Sequence, residues 1–98
     1  MQQLMRQAQK MQADVQRVQE EVGNSELTYS VGGGVVNVVI YGRKELKSIE
    51  IKPECVDPDD VEMLQDLVLA AVNGAIALAD DTMTREMNKV TGGMNLGF

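Results

Sequence analysis

Three basic side chains near the N-terminus share one side of a predicted helix. Arg6, Lys10 and Arg17 fall within about 40° of one another at 100° per residue. The neighbouring amides can donate hydrogen bonds to phosphates or base edges without adding charge: Gln2, Gln3, Gln7 and Gln9. This combination is typical of a surface that binds the phosphates of a polyanion. The alternative is a solvated helix face on which Lys10 and Asp14 form an i,i+4 ion pair.

A second basic pair stands near the end of the last predicted helix. Arg85 and Lys89 are four residues apart, where the helix dipole favours cations whatever their function. If the two terminal helices pair, these residues share a surface with Arg6 and Lys10. The predicted sheet has its own basic residues, which protection of an edge strand explains: Arg43, Lys44, Lys47 and Lys52.

Other chemistry finds little support in the chain. There is no histidine, and the single cysteine, Cys55, leaves no Cys/His dyad and no zinc set. Gly32-Gly33-Gly34 lacks a following Gly-Lys-Ser/Thr and precedes a strand, so it predicts a hairpin rather than a phosphate loop. The acids 57, 59 and 60 are explained by helix capping, because a calcium loop would need further ligands. We expect no enzymatic activity, metal, cofactor or small-molecule substrate.

The charge is unevenly distributed along the chain. The formal net charge is −6, yet residues 1–24 carry three cations and three acids. Residues 54–66 carry six acids and no cation. Because salt screens charges over about 8–10 Å, a polyanion responds to the local patch more than to the total. The ends of the chain therefore remain able to bind phosphate.

The basic residues require a helix at each end of the chain. A heptad seam predicts a helix over residues 1–23 that buries one line of side chains against another helix: Leu4, Ala8, Met11, Val15, Val18 and Val22. Residues 25–53 alternate between glycine-containing turns and three strands, which predicts an antiparallel meander with Ile49 and Ile51 facing inward. The predicted fold is α+β.

The second predicted helix covers residues 58–91, with Asp57 as N-cap and Pro58 at its first position. Its apolar residues first cover much of the helix circumference and then narrow to a second seam: Met83, Met87, Val90 and Met94. Such a helix would be roughly 48 Å long, so it must overhang the body or bend at Gly74 or Asp80. The two seams predict a protruding two-helix arm, followed by a tail over residues 92–98.

Composition indicates one domain, residues 1–98, that associates with itself. The chain has only three aromatic residues and seven methionines, which make a weak core. The central strand, from Val35 to Tyr41, is apolar on both faces, and one helix can cover only one of them. We expect a homodimer. No apolar run reaches the length of a membrane span, and the lone cysteine fits a reducing cytoplasm.

Three strings closely resemble the YbaB/EbfC nucleoid-associated proteins: LMRQAQKMQADVQRVQEEV, GGGVVNVVIYGRKELKSIEIKPE and DDVEMLQDLVLAAVNGAI. The resemblance implies small bacterial cytoplasmic proteins that form intertwined, tweezer-like homodimers and bind double-stranded DNA through protruding helices. By position, it implies these DNA-contacting residues: Arg6, Lys10, Arg17, Arg85 and Lys89. It places the following residues in the region that joins the protomers: Val36, Val38, Ile40, Leu64, Leu67 and Val68.

The expected function is DNA-backbone binding with weak sequence preference, affecting nucleoid organisation and gene expression. The alternative is a protein-interaction adaptor that docks a partner through its seams or acidic helix start, its DNA affinity being incidental. The −6 net charge and the acidic run of residues 54–66 favour the alternative.

Overall fold

Two helices and one sheet make up the computed structural model, which describes residues 2–92. Their order confirms the α+β prediction: α1 (Gln2–Asn24), β1 (Glu26–Val31), β2 (Val36–Tyr41), β3 (Leu46–Ile51), a 3₁₀ turn (Pro53–Cys55) and α2 (Val61–Thr91). The molecule is elongated, 69 × 25 × 16 Å, with a radius of gyration of 18.8 Å. A compact chain of this length would have a radius of gyration near 13 Å.

The three strands form an antiparallel sheet with β2 at its centre. Tyr29 of β1 and Ile49 of β3 both pair with Val38. The hairpin between β1 and β2 is closed by a hydrogen bond from the Gly34 amide to the Val31 carbonyl, 3.1 Å. The three glycines of this turn all have positive φ, which other residues rarely adopt.

The core lies between one face of β2 and one face of α2. Val36, Val38 and Ile40 have no exposed surface. They pack in one cluster with three fully buried small residues spaced four apart on α2: Ala71, Ala75 and Ala79. Alanine at this spacing lets the helix axis approach the sheet closely, because no longer side chain intervenes.

The third strand lies outside this core. Ile49 and Ile51 pair with Val38 and Val36, so they are on the helix-facing side of the sheet, yet they are 42% and 38% exposed. The prediction that these two side chains face inward is therefore right about the side of the sheet on which they lie, but wrong about their burial. A helix about 10 Å wide covers two strands spaced about 4.8 Å apart, and α2 lies over β1 and β2.

The other face of the sheet has no second layer within the described residues. Val39 and Tyr41 are half-buried there, beside exposed polar residues of the flanking strands. The Asn37 amide donates to the Gly34 carbonyl at 2.9 Å. The Arg43 guanidinium lies 4.2 Å from the centre of the Tyr41 ring. Polar contacts and this cation–π pair shield part of the face that the sequence analysis expected a partner to cover.

The start of α2 differs from the prediction. The carboxylate of Asp60, not of Asp57, caps the helix by accepting a hydrogen bond from the Met63 amide at 3.1 Å. The Asp57 carboxylate instead accepts from the Asp59 amide at 2.9 Å, which holds residues 57–60 in a turn. The helix therefore begins at Val61, three residues later than predicted, and runs unbroken to Thr91.

The two helices pair beyond the sheet and form an arm. On α1, Met11, Val15 and Val18 are half-buried and Val22 is buried. On α2 three residues of the second seam are half-buried: Met83, Met87 and Val90. Leu4, at 66% exposure, and Ala8 are not covered, so the seam is used only in part. Met94 lies outside the described residues.

Polar contacts fix the base of the arm to the sheet. The Arg43 guanidinium donates to the Gly23 carbonyl at 3.1 Å and to the Asn24 side chain at 2.9 Å. The Lys44 ammonium is 2.9 Å from the Asp80 carboxylate of α2. The turn after β2 is thus joined to the end of α1 and to the middle of α2.

Gly74 provides a test of the packing of α2 on the sheet. A Cβ at this position would overlap the ring of Tyr29. In an unobstructed helix, alanine is favoured over glycine by about 1 kcal/mol, whereas overpacking costs about 1–3 kcal/mol. We expect Gly74→Ala to lower the free energy of unfolding, measured with urea at fixed protein concentration.

The matched control for this change is Gly92→Ala, because Gly92 has open space around it and helical φ. It should leave the free energy of unfolding unchanged or slightly higher. In a Tyr29→Ala background, Gly74→Ala should become neutral or stabilising. A stabilising Gly74→Ala in the wild-type background would contradict the packing described.

Candidate nucleic-acid interface

The first half of α1 carries two unpaired cations. Arg6 and Lys10 are exposed, and no carboxylate within residues 2–92 comes within 4.0 Å of either side chain. Asp14, which the alternative interpretation pairs with Lys10, is instead 3.3 Å from Arg17. The alternative interpretation of Lys10 as half of an i,i+4 pair therefore does not hold.

The pairing of α1 with α2 brings Arg17 and Lys89 into one groove, but acidic side chains line the same groove. Both line a groove of about 430 Å³ between α1 and α2, which also contains Asp14, Glu21 and Glu86. Arg17 is 3.8 Å from Glu21, and Lys89 is 2.7 Å from Glu86. Two cations among three carboxylates give this groove a formal charge of −1.

The ion pairs of this groove are exposed, so they are weak. The side chains of Arg17 and Lys89 are 60% and 69% exposed. Exposed pairs of this kind contribute about 0–1 kcal/mol, so a phosphate could replace the carboxylate partner at small cost. The three carboxylates would still repel the phosphate. Arg17 and Lys89 are consequently less available to a phosphate than unpaired cations are.

The basic residues of the sheet are nearly all engaged within the chain. Arg43 pairs with Glu45, Lys44 with Asp80, and Lys47 with Glu26. The hydrogen bond from Lys47 to Glu26 raises the pKa of that lysine. Within the described residues, the basic side chains without an ion pair are Arg6, Lys10, Lys52 and Arg85. Three of these four belong to the arm.

The acidic run of residues 54–66 lies at the opposite end of α2 from the arm. Val61 and Thr91 are separated by about 45 Å along the helix axis at 1.5 Å per residue. That separation is several times the screening length of about 8 Å in physiological salt. The arm therefore presents its own local charge to a ligand rather than the net charge of the chain.

A groove of about 490 Å³ lies between β3 and α2. Its lining is almost entirely apolar: Ile51, Leu64, Gln65, Val68, Leu69 and Val72. Of the residues that the sequence analysis placed between protomers, Leu64 and Val68 line this groove, and Leu67 packs against the core. The three from β2 are buried inside their own chain, with no surface left for a partner: Val36, Val38 and Ile40.

The exposed apolar surface of α2 is larger than the sequence analysis allowed. By length and composition this helix could cross a membrane, since an 18-residue window has a mean hydropathy of 1.5. One such helix is weak support for a membrane span, because core helices meet the same criterion. Only 11% of the residues in that window are fully buried within the chain, and four large apolar side chains of the helix are 40–61% exposed: Val61, Met63, Leu69 and Ile76.

Metal and thiol chemistry gain no support from the described part of the chain. Residues 2–92 contain no group of three or more histidine, cysteine, aspartate or glutamate side chains that could hold a metal ion. Cys55 is buried, with its Sγ 3.2 Å from the Lys52 carbonyl. This contact is that of a structural thiol.

Sequence reasoning missed the acids that line the arm groove, and Leu69 and Val72 in the apolar groove. The breadth of the apolar face of α2 was the available signal for the second pair. The positions of Asp14, Glu21 and Glu86 relative to both helices depend on the rotation of α1 against α2, which a heptad pattern fixes only approximately.

Comparison with known proteins gives the class of proteins to which this fold belongs. Residues 1–94 match the YbaB/EbfC DNA-binding family. A nucleoid-associated protein of Acetivibrio thermocellus is 60% identical over 91 residues, covering 93% of this chain and 80% of the relative. One of Ruminiclostridium cellulolyticum is 57% identical, covering 93% and 79%.

The fold also has a solved counterpart. The crystal structure of an uncharacterized protein from Helicobacter pylori superposes with a TM-score of 0.70 at 22% identity, covering 87% of this chain and 89% of the other. At that identity the likeness concerns the fold alone. The family match and the two relatives show that the chain belongs to the YbaB/EbfC DNA-binding family.

The ion pair between Lys89 and Glu86, in the groove between α1 and α2, predicts a change in the titration of Glu86. The hydrogen bond from Lys89, with smaller contributions from the charges of Lys89 and Arg85, lowers the pKa of Glu86. A carboxylate with a depressed folded-state pKa stabilises the fold above its unfolded pKa and loses that contribution as the pH falls through the folded value. In a carboxyl NMR titration, Lys89→Gln should return the pKa of Glu86 toward 4.5. Arg17→Gln, the control, should leave it unchanged; a pKa insensitive to Lys89→Gln would contradict the pairing.

Proposed function

We propose that this chain is a nucleoid-associated, cytoplasmic DNA-binding protein. It grips the phosphate backbone of double-stranded DNA with the paired helical arms of a homodimer. The observation that carries the proposal is the concentration of unpaired cations on the arm: Arg6, Lys10 and Arg85. Membership of a DNA-binding family supports it, as do relatives called nucleoid-associated proteins.

The mode of contact favours weak sequence preference. Phosphate contacts position a protein on DNA but carry no base information. The exposed glutamines of α1 add hydrogen-bonding capacity around Arg6 without a fixed base-reading arrangement. A protein of this kind binds many sites and acts through coverage of DNA. Effects on nucleoid organisation and gene expression follow from that mode.

The contributions of the five candidate cations differ. Arg6, Lys10 and Arg85 are the principal phosphate ligands, because no carboxylate of the described chain competes for them. Arg17 and Lys89 are secondary ligands, since binding a phosphate requires leaving Asp14, Glu21 or Glu86. A dimer then has six principal contacts.

Self-association is supported by the apolar surface that one chain leaves open. The groove between β3 and α2 is nearly free of polar lining, and the half-exposed Ile49 continues it across the sheet. Burying this surface against a second copy would gain about 25 cal/mol for each Å² removed from water. The proposed interface thus centres on Leu64, Val68 and Leu69 and includes β3.

The acidic start of α2 favours a second candidate function, a protein-interaction adaptor. None of its carboxylates is in an ion pair within the described residues: Glu54, Asp57, Asp59, Asp60, Glu62 and Asp66. A basic protein partner could dock there, independently of DNA. Capture of a partner from a nuclease-treated lysate, lost on changing these acids to amides, would favour the adaptor.

DNA binding across a salt series tests the leading proposal. Six phosphate contacts predict a slope of log K against log salt of about −5, at about 0.9 per contact. Changing Arg6, Lys10 and Arg85 to glutamine should abolish most of the affinity and flatten the slope. The Arg6→Gln change alone, present twice per dimer, should reduce the slope by about 2.

The matched control is Lys52→Gln, because Lys52 is also unpaired within residues 2–92 but lies at the end of β3, off the arm. It should change neither the affinity nor the slope appreciably. Equal losses from Arg6→Gln and Lys52→Gln would show that binding follows overall charge rather than the arm, and would refute the proposed site.

Sedimentation of groove variants tests the homodimer. Val68→Asp places a charge in the apolar groove, so we expect a dissociated or unfolded chain where the wild type sediments as a dimer. Ile76→Asp is the control: Ile76 is 40% exposed on the same helix but does not line the groove. It should remain dimeric. A wild-type chain that is folded and monomeric at micromolar concentration would overturn the dimer.

A further inference from the structure

The apolar seam of α1 continues beyond the part that α2 covers. Val15 and Val18 are half-buried beside α2, whereas Leu4 is 66% exposed and Ala8 is also exposed. The reason is the difference in reach of the two helices. Val90, near the end of α2, lines the same groove as Val18, so the first turns of α1 extend past Gly92.

An uncovered helical end of this kind has little stability of its own. Isolated helices shorter than about 12–15 residues are marginal in water, because nucleation is costly and packing supplies most helical stability. Residues 2–10 are all exposed, and they carry Arg6 and Lys10. A partner on the seam would hold both cations in a regular helix.

We propose that the chain following α2, residues 93–98, docks on the seam formed by Leu4, Ala8 and Met11. Its apolar residues alternate with glycine and asparagine: Met94, Leu96 and Phe98. In an extended segment, alternate side chains point to the same side, so these three can face one seam together. The segment contains no charged residue that would have to be desolvated.

The reach of the segment fits this seam. Six extended residues span about 20 Å, and Leu4 and Met11 are separated by about 10 Å along the helix axis. The segment starts from Gly92, at the end of the covered region. Because it is tethered there, its effective concentration at the seam is of millimolar order.

The seam is too small for a second copy to be the better occupant. A stable interface buries about 800 Å² on each partner, and a stripe centred on Leu4 and Ala8 provides much less. Docking from the same chain avoids the entropy cost of association. Arg6 and Lys10 lie on nearly the opposite side of α1 from the seam, so both stay accessible when the seam is covered.

Fluorescence of a single tryptophan tests the docking in the full chain, which has no native tryptophan. In Phe98→Trp the emission should be shifted to the blue of a solvent-exposed tryptophan, independently of protein concentration. Adding Leu4→Gln should move the emission to the red. The matched control is Met5→Gln, because Met5 is 63% exposed but lies one residue off the seam; it should leave the emission unchanged.

Three fluorescence results would overturn the proposal: solvent-like emission from Phe98→Trp, a blue shift that Leu4→Gln does not remove, or a blue shift that disappears on dilution. The last would identify a second copy as the occupant. Amide hydrogen exchange provides a measurement with the native Phe98. Truncation after Gly93 should accelerate exchange in residues 5–10 by more than tenfold and leave residues 15–22 unchanged; unchanged exchange in residues 5–10 would also overturn it.

Discussion

The packing of three alanines of α2 on three aliphatic residues of β2 is the contact on which the rest of the structure depends. Ala71, Ala75 and Ala79 are fully buried, and the absence of longer side chains lets the helix lie close to the sheet. Because this contact uses only the middle of a 31-residue helix, one end remains beside β3 and the other projects as half of the arm. The same contact therefore creates both the apolar groove beside β3 and the arm that carries the candidate DNA-binding residues.

The length of α2 separates the acidic run of residues 54–66 from the unpaired cations of the arm. Asp66, the last acid of that run, and Arg85 are about 28 Å apart along the helix axis, well beyond the screening length of physiological salt. A compact arrangement of the same residues would place the acids beside the arm and repel DNA. An overall acidic chain can thus present unpaired cations at the tip of α1, where residues 2–10 contain Arg6 and Lys10 and no acid, and its net charge of −6 is a poor guide to its ligand.

Whether a cation is already in an ion pair says more about its availability to a ligand than the number of cations on the arm does. Arg17 and Lys89 share a groove with three carboxylates, whereas the cations nearer the tip of α1 are unpaired within the described residues. Ion pairs in the sheet have a different role: Arg43 and Lys44 join the turn after β2 to both helices of the arm. Basic residues therefore have two roles in this chain. Those of the turn after β2 hold the arm in position, and those near the tip of α1 remain available to a ligand.

The sequence by itself determined the elements, their order and the family, because heptad seams, strand alternation and glycine turns are local signals. It misplaced the start of α2 by three residues, since Asp57 and Asp60 are both good caps and only the hydrogen bond to Met63 distinguishes them. Tertiary structure alone decided that Ile49 faces the helix side without being buried, and that the seam at Leu4 stays uncovered by α2. The physical reason is that burial depends on how far one element reaches across another, a distance that no residue's own chemistry specifies.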